Sequence, residues 1–202
     1  MSTKGGTGKT TSAVSLAMCL HGLGRTLAVD CDPQGSLMSW SESAADEGKP
    51  LPFTVISVAA RDVHVRVADL AAGYEHVVLD TPPGDLGIIR SAILASQVVL
   101  VPVSPTGLDL HRIRPTFDLL GEIGISHPVQ VGVLLTKVRR GTRSARSARP
   151  VLAELGYPLM STEIPLAEHF AAAFGSVPGV VGEYWDLLAE LQRNPDGLPE
   201  PR

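Results

Sequence analysis

The feature that most restricts the fold of this chain is an alternation of short apolar segments with longer stretches of helical periodicity. Such an alternation predicts a parallel β-sheet covered by helices. The short segments are rich in β-branched residues and continuously apolar, which is typical of strands that are buried on both faces. We predict strands at residues 26–30, 53–57, 76–80, 98–103, 129–136 and 160–164.

The stretches between these strands predict helices on both faces of the sheet. The predicted helices cover residues 9–23, 62–72, 88–95, 109–123, 142–155, 166–174 and 180–193, whereas the polar residues 42–52 predict a loop. A chain of 202 residues with 44% hydrophobic residues is long enough to bury a core of its own. We therefore expect a single α/β domain over residues 1–193 and a flexible, proline-rich tail over residues 194–202.

Composition also indicates the compartment. The two cysteines, Cys19 and Cys31, cannot form a disulfide framework and fit a reducing environment. No apolar run is long enough to span a membrane, and the first residues lack the apolar core of a signal peptide. We expect a soluble, cytoplasmic protein without a membrane partner.

A glycine-rich segment, KGGTGKTT at residues 4–11, directly precedes the first predicted helix. Its glycines let the backbone curl so that successive N–H groups point at an anion, and the helix adds the positive end of its dipole. Lys9 can reach the β- and γ-phosphates of a nucleotide, and the Thr10 hydroxyl can bind Mg²⁺. Thr3 stands where the general phosphate-loop pattern has glycine, but the segment carries an additional lysine. The candidate ATP-binding residues here are Lys4, Gly5, Gly6, Thr7, Gly8, Lys9, Thr10 and Thr11.

Three aspartates follow two of the predicted strands. Asp30 and Asp32 lie at the end of the strand at 26–30, and Asp80 ends the strand at 76–80. The carboxyl ends of parallel strands meet at one edge of a sheet, where α/β proteins bind their ligands. Carboxylates in such positions hold Mg²⁺ in phosphoryl-transfer sites. The pattern therefore predicts a nucleotide and magnesium site, with Thr10 and Asp80 beside the metal.

Four motifs in this order resemble the deviant-Walker ATPases of the ParA/MinD group, and most closely the small, ParF-like partition ATPases of that group. They are KGGTGKTT at 4–11, VDCDPQGS at 29–36, VVLDTPPG at 77–84 and VPVSPTGLDL at 101–110. The resemblance implies a single-domain P-loop NTPase fold, a mostly parallel twisted sheet with helices on both faces. It also implies ATP and Mg²⁺ as cofactors and an ATPase activity that is weak unless stimulated.

The same resemblance assigns roles to individual residues. Lys4 is similar to the signature lysine that crosses a nucleotide-sandwich dimer, and Lys9 to the phosphate-binding lysine. Asp32 is similar to the carboxylate that positions the attacking water, so Lys4, Lys9 and Asp32 are the candidate catalytic residues. Asp80 resembles the Walker B aspartate, and Asp30 resembles the residue that supports Mg²⁺ indirectly, through the groups that contact the metal. Candidate contacts to the base and the dimer seam are Pro102, Thr136 and Lys137.

A basic segment stands out in a chain whose formal net charge is −4. Six of its 17 lysines and arginines lie between residues 137 and 149, and no aspartate or glutamate occurs from residue 123 to residue 153. Arginines spaced among serine and alanine suit contacts to a phosphate backbone, although a solvated charged face has the same pattern. Partition ATPases similarly bind DNA non-specifically in their ATP form. The candidate DNA-binding residues are Arg139, Arg140, Arg143, Arg146 and Arg149.

The beginning of the sequence departs from this pattern. A strand normally leads into a phosphate loop, but only Met1, Ser2 and Thr3 precede Lys4. We therefore expect the first strand to be missing from this sequence, because the true start lies upstream or because the chain is shortened. In a shortened chain the loop would lose its anchor, and nucleotide binding would be in doubt.

Four functions are compatible with these patterns. The first is a nucleoid-associated partition ATPase that forms a homodimer with ATP, binds DNA and segregates plasmid or chromosomal cargo with a centromere-binding, ParB-type adaptor. The second is a related ATPase that positions a protein cargo. The third is an inactive, amino-terminally truncated nucleotide-binding module. The fourth is an ATP-dependent amide- or ring-forming synthetase, against which we count the lack of an extra substrate domain. An ATPase assay, and DNA binding with and without nucleotide, would separate these classes.

Overall fold

The computed structural model describes residues 6–111, 113–179 and 181–193, apart from the side chains of Leu108 and His111. Lys4, Gly5 and the predicted tail at 194–202 lie outside the described residues.

Within the described chain, six strands pair in parallel. The strands are β1 (Thr26–Asp30), β2 (Thr54–Ser57), β3 (His76–Asp80), β4 (Val98–Val103), β5 (Gln130–Val138) and β6 (Leu159–Pro165). They form a first sheet in the order β2–β1–β3 and a second sheet in the order β4–β5–β6. All six predicted strands are confirmed. The α/β class and the parallel pairing are also confirmed, but the strands are divided between two sheets where one was predicted.

The helices connect these strands and cover them. Their bounds are α1 (Lys9–His21), α2 (Ser36–Asp46), α3 (Val63–Leu70), α4 (Leu86–Leu94), α5 (Gly107–His111), α6 (Arg114–Gly124), α7 (Arg143–Glu154), α8 (Glu168–Ala171) and α9 (Gly182–Arg193). The prediction of a loop over 42–52 was wrong for its first half, because α2 continues to Asp46. The helix predicted over 109–123 is divided into α5 and α6, and only four residues of that predicted over 166–174 are helical.

Both faces of the first sheet are buried by helices. Ala28 of β1 packs with α1 and α2 on one face, through a cluster that includes Val14 and Trp40. The neighbouring residues Leu27 and Val29 point to the other face and pack against α3 and α4. This arrangement explains why the strand sequence is continuously apolar, since successive side chains alternate between two covered faces.

The second sheet is also covered on both faces, and two helices connect it to the first. Leu134 of β5 packs with α9 and with Cys19 of α1. On the opposite face, the buried side chains of β4 and β5 pack against α4, α6 and α7. Helix α1 thus contributes to the cores of both sheets on one face, and α4 does so on the other face through Ile88 and Ile89. These two helices hold the sheets together as one α/β domain.

Among the residues that the structure describes, no helix is both long enough and apolar enough to cross a bilayer.

Candidate phosphate-binding site

The glycine-rich loop leads directly into α1 with a left-handed backbone at two positions. Gly6 has φ 84° and Gly8 has φ 85°, conformations that side chains with a Cβ atom rarely adopt. Gly8 is the N-cap of α1, and its carbonyl accepts a hydrogen bond of 2.8 Å from the Ser12 amide. The loop therefore presents its backbone at the amino end of a 13-residue helix, the end at which anions are stabilised.

Two residues at the end of β5 hold this loop in place. The Thr136 hydroxyl donates a hydrogen bond of 2.8 Å to the Thr7 carbonyl, and the Lys137 ammonium donates one of 2.6 Å to the Gly6 carbonyl. Lys137 has φ 53° and is the one non-glycine residue with a positive φ in the described part of the chain. A strained backbone of this kind persists where its surroundings fix it. Thr136 and Lys137, for which the resemblance implies contacts to the base, thus hold the phosphate loop from β5. Their contact with a base remains a prediction.

The aspartates that the sequence singles out meet beside the loop. Asp30 and Asp80 are paired residues at the carboxyl ends of β1 and β3, and both are almost completely buried. The Thr10 hydroxyl donates to Asp80 Oδ2 over 2.6 Å, which joins the first turn of α1 to β3. The structure therefore brings together two of the predicted metal-site side chains in direct contact and places the third on the neighbouring strand.

Asp30 and Asp32 shape the segment that follows β1. Asp30 accepts hydrogen bonds from the amides of Asp32 (3.0 Å) and Met38 (2.9 Å), one on each carboxylate oxygen. Asp32 accepts one from the Gln34 amide at 2.9 Å, while its side chain is only half-buried. Asp30 thus orients the turn and the start of α2, which leaves Asp32 as the more accessible carboxylate.

Burial controls the charges in this site. The low polarity around Asp80 raises the pKa of its carboxyl to about 6, although the Thr10 hydrogen bond opposes this shift and Asp30 adds to it. Burial also lowers the pKa of the Lys9 ammonium, while the negative charges of Asp80 and Asp32 act in the opposite direction. Lys9 therefore lies within the field of both aspartates. A buried carboxylate with a raised pKa is stabilised by a cation.

The donor atoms here suit magnesium bound together with a phosphate. Thr10 and Asp80 supply hard oxygen atoms, which Mg²⁺ prefers, and Thr7 has a buried hydroxyl for which the structure shows no hydrogen-bond partner. No group of three or more histidine, cysteine, aspartate or glutamate side chains among the described residues forms a site for a metal alone. Mg²⁺ needs no such group where a phosphate and water complete its octahedron.

Two further predicted residues, Thr11 and Pro102, lie in α1 and β4. Thr11 is half-buried in α1. Pro102 is buried in β4, where it pairs with Leu134, and lines the cleft that also contains Lys9 and Asp80. Sequence reasoning missed the anchoring of the loop by β5, for which the signal was a polar pair directly after an apolar strand.

The raised pKa of Asp80 predicts how stability depends on pH. Because this pKa moves from 3.8 to about 6 on folding, the native state binds an additional proton between these values and loses stability as pH rises through them. Asp80→Asn removes this effect. We expect the variant, without nucleotide, to be more stable than the parent above pH 6 by roughly 2–3 kcal/mol, and equally stable near pH 4.

Urea unfolding at several pH values measures this difference. Asp69→Asn, at an exposed position on α3, is the matched control. An Asp80→Asn chain less stable than the parent at pH 8 would contradict the interpretation.

Comparisons with known proteins agree with this geometry. Residues 1–177 match the family model described as the CobQ/CobB/MinD/ParA nucleotide-binding domain. The maintenance of carboxysome distribution protein A of Gloeobacter kilaueensis is 36% identical over 161 residues, which cover 77% of this chain and 69% of the relative. The chromosome-partitioning ATPase Soj of Thermus thermophilus is 30% identical over 201 residues, covering 84% and 81% of the two chains.

A solved structure shows the same fold at low sequence identity. Cobyrinic acid a,c-diamide synthase of Mycobacterium smegmatis, bound to an ATP analogue and magnesium, superposes with a TM-score of 0.76 at 20% identity. The match covers 96% of this chain and 92% of that one. Because the family model spans most of the sequence and the loop, strands and aspartates take the places described above, this chain belongs to the CobQ/CobB/MinD/ParA nucleotide-binding domain family.

Proposed function

We propose that this chain is an ATPase of the ParA/MinD type that dimerises with ATP, binds DNA without sequence specificity and so distributes a cargo in the cell. The observation that supports the proposal is the convergence of Lys9, Thr10 and Asp80 on the amino end of α1. This group of side chains combines a half-buried cation with hard oxygen ligands. It is the combination that binding of a triphosphate and its metal requires.

Each residue has a distinct task in this proposal. The loop amides and Lys9 bind the phosphates, and Lys4 of the second protomer neutralises charge that develops on the γ-phosphate. Asp32 orients the attacking water, since its carboxylate is accessible and lies close enough to Lys9 to act on its charge. Thr10 and Asp80 would hold Mg²⁺, with Asp30 supporting it from the neighbouring strand, and the metal would supply positive charge against the phosphates. Turnover is weak until a partner stimulates it, which suits a switch.

The basic segment supports the DNA-binding part of the proposal. Arg139, Arg140, Arg143 and Arg146 are exposed at the start of α7 and in the turn before it. The Thr142 side chain caps α7 by accepting from the Ala145 amide at 3.3 Å. All four side chains are exposed, and no aspartate or glutamate lies near them in the sequence.

Arg149 differs from these four arginines. Its guanidinium is paired with Glu163 of β6 and donates a hydrogen bond of 2.6 Å to the Ser161 carbonyl. Part of its charge is thus neutralised within the chain, and we rank it below the others as a DNA contact.

DNA co-sedimentation with ATP, with ADP and without nucleotide tests the proposal. We expect binding in ATP alone, since the dimer then doubles the basic surface. Equal binding in all three conditions would contradict ATP-dependent DNA binding and leave only the shared fold.

The salt dependence of binding tests two of the arginines together. We expect Arg139→Ala/Arg143→Ala to weaken ATP-dependent DNA binding and to lower the slope of log K against log salt by about two, because each lost phosphate contact releases about one counterion fewer. Arg66→Ala/Arg90→Ala is the matched control, since both arginines are exposed, lie elsewhere and pair with Asp62 and Glu122. An unchanged slope in the first variant would remove this segment from the interface.

The cargo has two candidates. A plasmid or chromosome, bound through a ParB-type adaptor in a nucleoid-associated complex, is favoured by the likeness to Soj, a chromosome-partitioning ATPase. A protein cargo is favoured by the likeness to the carboxysome-distribution protein. Capture of a small DNA-binding adaptor by the ATP-bound chain supports the first candidate, and capture of an adaptor without DNA affinity supports the second.

The length of the chain does not argue against a synthetase activity. We counted the lack of an additional substrate domain against that function, but the cobyrinic acid diamide synthase chain is itself covered to 92% by this chain. Length therefore does not distinguish the two functions. The exposed arginines of α7 favour the DNA-binding ATPase.

A further inference from the structure

The last strand of the second sheet is irregular in its pairing. Leu159 of β6 lies opposite Val133 of β5, and Glu163 lies opposite Leu135, so that four steps along β6 match two steps along β5. The additional residues form a bulge at 160–162, which we call the β6 bulge. Bulged residues are left out of the hydrogen-bond ladder, and their backbone groups need other partners.

Glu190 of α9 supplies partners for the β6 bulge. Its buried carboxylate accepts hydrogen bonds from the amides of Ser161 and Thr162 and from the Thr162 hydroxyl, the last two at 2.9 and 2.8 Å. Burial alone would raise the pKa of Glu190, but these bonds outweigh it and hold the pKa below its usual value. Glu190 is therefore a charged carboxylate that fixes the bulge from the side of α9.

Arg149 holds the same bulge from the side of α7, which packs on the other face of the second sheet. Its guanidinium donates from Nε to the Glu163 carboxylate and from a terminal nitrogen to the Ser161 carbonyl. The planar fork lets one side chain make both contacts at once. We call these two contacts the Arg149 bridge. Ser161 is thus held through its N–H by α9 and through its C=O by α7.

Helix α7 has few other attachments near its candidate DNA-binding arginines. None of its first five residues is buried, whereas Ala148 and Leu152 are. Pro150 lies inside the helix and has no N–H, so the Arg146 carbonyl cannot receive the usual helical hydrogen bond. Arg149 therefore connects α7 to β6 at the point where the helix itself is weakest.

We propose that Arg149 is a positioning residue for DNA binding and makes no contact with DNA itself. The Arg149 bridge fixes α7 on the β6 bulge and so holds the exposed arginines, at the start of α7 and in the turn before it, in one array. This inference rests on the proposed function, since it concerns how that DNA surface is kept in place. An array that is already ordered loses less conformational entropy on binding than one that must be ordered first. The bridge therefore raises DNA affinity without supplying a phosphate contact.

Glu163→Ala tests the proposal, because two explanations predict opposite signs. If charge alone matters, loss of a carboxylate beside a basic segment strengthens DNA binding, since repulsion of the phosphates falls. If Glu163 serves to hold Arg149, the same change weakens DNA binding. We expect ATP-dependent binding of a DNA duplex to fall by about fivefold at fixed salt, while the affinity for Mg·ATP stays within about twofold of the parent. Fluorescence anisotropy and calorimetry measure the two affinities.

Glu154→Ala is the matched control, since Glu154 is an exposed carboxylate at the last position of the same helix. It should bind DNA at least as tightly as the parent. The double variant Arg149→Ala/Glu163→Ala has the net charge of the parent but lacks the bridge, and we expect it to bind DNA as weakly as Glu163→Ala. Its slope of log K against log salt should equal that of the parent, because no phosphate contact is lost.

Hydrogen exchange measures the Arg149 bridge without DNA or nucleotide. We expect the amides of α7 to exchange at least about fivefold faster in Glu163→Ala than in the parent, because a contact that fixes this helix on β6 is lost. The amides of α3, which packs on the first sheet, should not change.

Three results would overturn the proposal. The first is DNA binding by Glu163→Ala that equals or exceeds that of the parent. The second is a salt slope that falls by about one in the double variant, which would make Arg149 a direct phosphate contact. The third is unchanged exchange of the α7 amides in Glu163→Ala. If the parent itself fails to bind DNA in ATP, the proposed function falls and the role of Arg149 in DNA binding falls with it. The exchange comparison would still decide whether the bridge holds α7, so the two failures can be told apart.

Discussion

Lys9→Ala is expected to abolish binding of Mg·ATP, with a fall in affinity of at least about 100-fold, or roughly 3 kcal/mol. Lys9 lies at the first position of α1 and its ammonium is within the field of Asp80 and Asp32. A phosphate chain brought to the loop would meet these carboxylates without a positive side chain between them. Repulsion would then add to the loss of a charge-assisted hydrogen bond. Isothermal titration calorimetry with Mg·ATP measures the effect.

Lys49→Ala is the matched control, because Lys49 is an exposed lysine in the loop after α2. It should bind as the parent does. The far-ultraviolet circular dichroism of Lys9→Ala should equal that of the parent. Unfolding is then excluded as the cause of the lost affinity. Binding by Lys9→Ala within threefold of the parent would contradict the proposed site.

Asp32→Ala is expected to retain ATP binding and dimerisation while turnover falls about 100-fold, as for loss of a residue that orients the attacking water. Asp32 is half-buried, and one of its oxygens already accepts from the Gln34 amide. The alanine variant therefore removes both a charge and a turn contact. Asp32→Asn removes the charge but keeps an acceptor for that amide, so the two variants together separate chemistry from local structure.

Phosphate release and light scattering in ATP measure these outcomes. We expect both variants to stall as ATP-bound dimers. Normal turnover in Asp32→Asn together with reduced turnover in Asp32→Ala would show that the turn contact matters and the charge does not. Normal turnover in Asp32→Ala would remove this residue from the mechanism.

The strands could be predicted from the sequence because a strand that is buried on both faces is a continuous run of apolar residues. The runs at Thr26–Asp30, His76–Asp80 and Val98–Val103 have the same limits in the structure as in the prediction. Helix α2 was not predicted, because serine, glutamate and alanine dominate its second half. Its apolar positions Leu37, Trp40 and Ala44 do follow helical spacing, and all three are buried.

The candidate site was predictable where one motif supplies its residues, and less so where distant strands meet. Thr10 and Asp80 were assigned to one site from their motifs, and they are in contact. The ion pair of Arg149 with Glu163 could not be inferred, because it joins α7 to β6 across a turn. The hydrogen bond from Lys137 to the Gly6 carbonyl could not be inferred either, since it depends on a left-handed backbone at a lysine.

The hydrogen bond from Lys137 to the Gly6 carbonyl couples the phosphate loop to the basic segment. The chain runs from Lys137, whose ammonium holds the Gly6 carbonyl, through Val138 directly to Arg139 and the cap of α7. A displacement of the loop by a fraction of an ångström would therefore move Lys137, and with it Arg139, which follows only two residues later. Under the proposed function, occupation of the loop would then change the position of the candidate DNA-binding arginines without any hinge motion.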